Sequence, residues 1–218
     1  VSASFSVFSG ILIASLFWSL PVSWQKTGTL YKVLLIMPHL SIAYFVMIFF
    51  SRTGMVSSIL HTLGMMENFN QFPVLVYDAL GTGIILSYIL KGTPFAVLMV
   101  SALLKNVDKG YLDTARMLGA GRVRIFTKII IPSVKPAAKA SFLILFLYSF
   151  GAFDIPFLIG SSRPEMLSIH VYNLYFRRDL VNRPQAMAVL TLMLLFSFFV
   201  IYLYNVISGR LDEREKIL

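Results

Sequence analysis

Two charged residues sit inside apolar runs of membrane length: Lys91, in SYILKGTPFAVL, and Asp154, in YSFGAFDIPFLI. A charge at the centre of a bilayer costs roughly 3 kcal/mol or more unless it is paired, wetted or able to reach the interface. Lys91 precedes Lys105 by 14 residues and Asp154 follows Lys139 by 15, so along a helix both lie about 21–23 Å from those basic boundaries. Ala79, Gly83 and Ser87 precede Lys91 at steps of four, a small-residue face that aims it at other helices. Three uses fit this matched depth: an ion pair between the two, a lining for a translocation path, or two independent snorkelling chains. Pro94 and Pro156 follow the charges and loosen the backbone there, as a candidate gate or kink.

The second chemically unusual passage is DTARMLGAGRVRIFTKIIIPS, residues 113 to 133. It alternates charge with apolar residues between two apolar runs. No catalytic constellation accompanies it. There is no cysteine, which excludes thiol chemistry, disulfides and cysteine-ligated metal. His39, His61 and His170 are too dispersed to suggest a ligand set, so no metal site is expected. Neither a phosphate-binding Gly-x-x-x-x-Gly-Lys-Ser/Thr loop nor a Gly-x-Ser-x-Gly elbow occurs, so the chain is expected to be neither an ATPase nor a hydrolase.

The elements that position these residues follow from composition. Of 218 residues, 57% are hydrophobic and 13% charged, and the mean hydropathy is +0.78. That is a membrane composition, for which only internally hydrogen-bonded helices or closed barrels are possible. Five runs reach the length of a helical span: 4–24, 31–50, 75–104, 136–160 and 185–207. The expected fold is an all-α polytopic helix bundle, one transmembrane domain over 1–218, with a helix–turn–helix loop at 105–135 inside it.

Orientation comes from lysine and arginine. Thirteen of them, in 26–32, 105–139 and 210–216, fall on one side of these spans and five, Arg52, Arg163, Arg177, Arg178 and Arg183, on the other. The richer side is cytoplasmic, which places Val1 outside and the C-terminus inside. Trp18, Trp24, Tyr31, Tyr202 and Tyr204 then fall at the cytoplasmic interface. The +9 net charge is read as topology, not as a nucleic-acid footprint.

Within the loop, Leu104, Val107, Tyr111, Ala115 and Leu118 recur at helical spacing. Gly119 and Gly121 allow a sharp turn, and Val123, Phe126 and Ile130 mark a second short helix expected to stop before Pro132. On residues alone, this basic amphipathic hairpin could equally rest on anionic lipid headgroups or dock on a protein.

The spacing then carries a resemblance. Asp113-Thr114-Ala115, three residues, Gly119, nine residues and Ile129-Ile130-Ile131-Pro132 is similar to the signature loop of the membrane-spanning subunits of binding-protein-dependent ABC importers. That pattern is Glu-Ala-Ala, three residues, Gly, nine residues, Ile-x-Leu-Pro, so Asp, Thr and Ile are the departures. YILKGTPFAVLMVSALLKNV, SFGAFDIPFLIGSSRPEML and RPQAMAVLTL resemble the subgroup that serves polyamines, with relatives for iron, thiamine and phosphonates.

The resemblance implies a bacterial inner-membrane permease subunit, half of a translocation pathway, with a small solute such as a polyamine as cargo; iron, thiamine, phosphonate or a sugar are the alternatives. It implies partners: cytoplasmic ABC ATPase subunits that bind ATP and Mg, a second permease subunit, identical or not, and an extracytoplasmic substrate-binding protein. No cofactor is implied for this chain. Asp113, Thr114, Ala115, Arg116, Gly119, Ile129 and Pro132 become candidate ATPase-coupling residues. Such subunits usually have six spans, so the first of them is expected to precede Val1. The outer stretch SSRPEMLSIHVYNLYFRRDLVNRPQ is a candidate contact for the binding protein. The rival class is a secondary transporter or channel, which needs no cytoplasmic docking hairpin.

Overall fold

The computed structural model describes residues 1–19, 31–177 and 179–217, and among them every regular element is helical. Contacts group the chain into two compact units, Val1–Pro164 and Glu165–Leu218, described in turn.

The first unit is built around α5 (Thr82–Leu104), against which α1 (Ser2–Ser19), α3 (His39–Phe50) and α8 (Ile131–Gly151) all pack. Small residues permit the closest of these contacts: a Cβ on Gly10 of α1 would overlap Ala96 of α5. Ser6, beside it, donates to the Tyr88 carbonyl at 3.4 Å. The short helices are α2 (Tyr31–Ile36), α4 (Met55–Thr62), α6 (Lys109–Met117), α7 (Arg122–Ile125) and α9 (Asp154–Ile159).

Proline and capping chemistry set the span boundaries where hydropathy alone misplaces them. The expected span 31–50 is interrupted at Met37–Pro38, because the Pro38 ring has no N–H for the Leu34 carbonyl and crowds it. The third span starts at Thr82, not at residue 75. Asp78 accepts from the Thr82 N–H at 2.8 Å, Thr82 Oγ1 donates to Leu75 O, and Tyr77 turns away at φ 62°. The fourth span ends at Gly151, because Pro156 offers no N–H to the Ala152 carbonyl. Pro156 itself lies buried in the first turn of α9, where a missing donor costs nothing, and Pro94 is accommodated inside α5.

The second arm of the hairpin does not stop before Pro132, as the sequence suggested. It runs through a five-residue π-helical turn, Phe126–Ile130, into α8, with Pro132 in the first turn. The wider turn tolerates the missing donor, and Ser133 Oγ satisfies the Ile129 carbonyl at 2.7 Å.

Four stretches are long and apolar enough to cross a bilayer: His39–Thr62, Thr82–Leu104, Arg122–Gly151 and Leu180–Gly209; Ser2–Trp18 is apolar but shorter. The end of the expected first span, with Trp24, and the Lys26 that follows it lie outside the described residues.

The second unit contains α10 (Leu167–Tyr172), a π turn Asn173–Arg177 and α11 (Arg183–Ile217), joined over Val171, Leu174 and Ala186. Glu165 holds its start, bonding His170 Nδ1 at 2.6 Å and Asn173 Nδ2 at 2.8 Å. Arg177 lies over the Tyr172 ring at 5.8 Å and Arg183 over Tyr175 at 4.9 Å. This stretch is therefore ordered around arginine–aromatic stacks; Arg178 lies outside the described residues.

Candidate functional site

The hairpin is rooted, not loose. Asp108 caps α6 by accepting from the Gly110 N–H at 2.9 Å. Leu112, Ile125 and Ile130, all at least nine-tenths buried, join Val100, Leu104, Val134 and Ala137 in one apolar cluster, with Val107, Ala115 and Ile129 packed against it. Both arms are thus fixed to the ends of α5 and α8 by the same core.

At the tip, α6 closes with the two bonds of a Schellman motif: Gly119 N–H to Arg116 O and Ala120 N–H to Ala115 O, each 2.9 Å. Gly119 has φ +78°, and nothing lies within 4 Å of the place its Cβ would take. Its glycine is therefore required by backbone conformation and not by crowding within the chain.

The expected apolar stripe is divided. Leu104, Val107 and Ala115 face inward beside Leu112, while Tyr111 and Leu118 project outward with Met117 and Val123, between 70% and 89% exposed. Asp113 and Arg116 form an exposed i,i+3 pair at 3.3 Å, worth under about 1 kcal/mol. Thr114 bonds its own helix, Oγ1 to Gly110 O, and Pro132 is exposed beside the partly buried Ile129. The arrangement is a rigid stalk that ends in an apolar, charge-rimmed tip.

Inside the first unit a cavity of about 220 Å³ is lined by Ser6, His39, Tyr88, Lys91, Tyr148 and Ser149, among others. His39 stacks on Tyr148 at 4.9 Å, and Tyr88 meets Tyr148 edge-on at 6.1 Å. Lys91 is directed into the bundle, but it does not pair with Asp154 in this conformation. Its ammonium donates to the carbonyls of Leu34 at 2.9 Å, Leu35 at 2.8 Å and Met37. Asp154, at the first turn of α9, is exposed.

Residues 6–213 match the family described as binding-protein-dependent transport system inner membrane component. The chain belongs to this family. Among its curated relatives, the spermidine/putrescine transport system permease protein PotB of Escherichia coli K12 is 31% identical over 162 residues, 69% of this chain and 57% of that one. The sulfate transport system permease protein CysT of Salmonella typhimurium is 26% identical over 145 residues, 66% of this chain and 52% of that one. The chain thus spans about half the length of the curated relatives it matches.

The fold is shared with solved transporters. A bacterial alginate ABC transporter, crystallised with an alginate pentasaccharide-bound periplasmic protein, aligns with TM-score 0.81 over 96% of this chain and 74% of that one, at 18% identity. The MetNI methionine ABC transporter in inward-facing form gives 0.63 over 98% and 89%, at 15% identity.

In this inner membrane component, sequence reasoning missed three features of the site. Met117 escaped because it falls off the a/d-like stripe. The aromatic corner of His39, Tyr88 and Tyr148 escaped because its members come from three helices with no shared spacing. The partners of Lys91 escaped because they are carbonyls, although Pro38 was the available signal: a proline inside an apolar run frees carbonyls that something must satisfy.

Proposed function

We propose that this chain is the permease subunit of an ATP-driven importer in a bacterial inner membrane, forming half of the translocation pathway. The observation that carries this reading is the hairpin at 105–135: a stalk fused to two spans through one buried cluster, with Tyr111, Met117, Leu118 and Val123 exposed at its tip. An apolar tip with a charged rim fits a cleft on a protein, where apolar residues are buried at the centre and charges stay at the edge. The partner is an ABC ATPase that binds ATP and Mg, and Asp113, Thr114, Arg116 and Gly119 lie on the docking side. A second permease subunit completes the pathway, and an extracytoplasmic binding protein delivers cargo to the Arg177 side. Val1 then lies outside and the C-terminus in the cytoplasm. The favoured cargo is a polyamine, supported by the relative at 31% identity.

Affinity purification of the tagged permease tests the first part. The wild type should retain an ABC ATPase in roughly stoichiometric amount, Leu118→Met should too, and Leu118→Asp should lose it while still inserting in the membrane. A wild-type permease that transports with no ATPase bound is a secondary transporter or channel, and the reading fails. Cells carrying the complete operon should take up labelled putrescine or spermidine in preference to sulfate; the opposite preference refutes the cargo assignment alone.

A further inference from the structure

The interrupted second span presents an unusual hydrogen-bonding problem. Pro38 has no N–H, so the helix from Tyr31 cannot continue, and carbonyls around the break lose their helical partners. Lys91 answers from α5, more than fifty residues further along the chain. Its three donors meet three acceptors: Leu34 O, Leu35 O and Met37 O. The positive charge also stands at a helix C-terminus, where the backbone partial charges are negative. The partner of this intramembrane lysine is thus the break itself.

Geometry gives the break a consequence. His39, the first residue of α3, stacks on Tyr148 of α8 in the wall of the cavity that Lys91 also lines. The angle at Met37–Pro38 therefore determines how α3 leaves α2 and where His39 stands. A cavity of about 220 Å³ adjoins Lys91, so its side chain has open space beside it.

We propose that Lys91 is a positioning residue of the transport cycle, a latch whose ammonium holds the broken second span at one angle and whose release lets the two halves re-orient. The cycle belongs to the function proposed above, while the latch itself is a property of this fold.

The test combines a double-mutant cycle with a distance measurement, on the full-length permease in its complex in nanodiscs. Spin labels at Val33→Cys and Ile48→Cys, both more than half exposed and on opposite sides of the break, use the absence of native cysteine in this chain. With Lys91 the distance distribution should be narrow. Lys91→Met should broaden or shift it by about 5 Å, the rise of one helical turn. Lys91→Arg, which can still donate to carbonyls, should restore most of the narrow distribution.

Pro38→Ala supplies the missing N–H, so in that background Lys91→Met should lose at least about half its effect on distance and on thermal stability. This arm also covers failure to fold: a Lys91→Met chain that is not recovered alone should be recovered with Pro38→Ala. An unchanged distribution in Lys91→Met, or strictly additive effects with Pro38→Ala, overturns the latch. Retention of the ATPase is read on the same preparations, so an unchanged distance with ATPase bound refutes the latch and leaves the proposed function standing.

Discussion

Gly119 offers the most direct test of how the hairpin tip works. Its φ of +78° lies in the left-handed region, and two 2.9 Å hydrogen bonds of the helix end depend on it. A side chain there meets nothing within 4 Å, so a substitution carries a conformational cost and no internal clash. That cost is about 1–2 kcal/mol for an ordinary L-residue, larger for a β-branched one and small for asparagine, which tolerates this region. At about 1.4 kcal/mol per factor of ten, Gly119→Val reduces the population of the native turn roughly tenfold relative to frayed forms. The buried Leu112, Ile125 and Ile130 still hold the arms, so the damage stays local.

The expected order of ATPase retention is Gly, then Asn, then Ala, then Val, with the thermal stability of the spans barely altered. Copurified ATPase, measured alongside detergent melting, separates two components. If Asn behaves as Gly does, the turn acts through its backbone alone. If Asn melts normally yet loses the ATPase, the partner approaches Gly119 closely enough to exclude a side chain. Normal assembly and coupling in Gly119→Val would refute both the conformational argument and the docking role of this turn.

Three further outcomes are expected. A cysteine at Ser162 should react with an impermeant maleimide added outside intact cells and one at Ser133 should not; the reverse labelling inverts the topology. Leu112→Ala, which hollows the cluster rooting the hairpin, should cost about 2–4 kcal/mol and show as a lower melting temperature together with weaker ATPase retention. Asp113→Asn removes only an exposed pair and should shift stability by less than about 1 kcal/mol, so any large loss of assembly in this variant measures a contact to the partner and not to Arg116.

The spans and the hairpin were legible because they are written in side chains. Apolar runs located the third and fifth spans to within several residues and the middle of the fourth, and Gly119 was readable as a positive-φ turn because few other residues take that conformation. What escaped was written in the backbone. Hydropathy counts Leu75 and Val76 as membrane residues, but the cap from Asp78 to Thr82 decides where the helix begins. Pro156 lies inside an apolar run and read as a gate or kink, yet α8 ends before it, and Pro38, inside the second run, divides α2 from α3. Lys91 and Asp154 looked like natural partners because matched depth and opposite charge can be counted along the chain, whereas the carbonyls that Lys91 takes have no residue type to count.

The π turn at Phe126–Ile130 has a mechanical meaning. Because it joins the second arm of the hairpin to the fourth span without a break, Arg122 to Gly151 is one rod of 30 residues, about 45 Å long. The rod carries Pro132 in the first turn of α8 and Pro136 inside it, where a helix bends most readily, and it ends at Ala152 and Phe153, ahead of α9, headed by Asp154. A few ångströms of movement at Val123 are thus shared between a bend near these prolines and a change of angle beside Asp154.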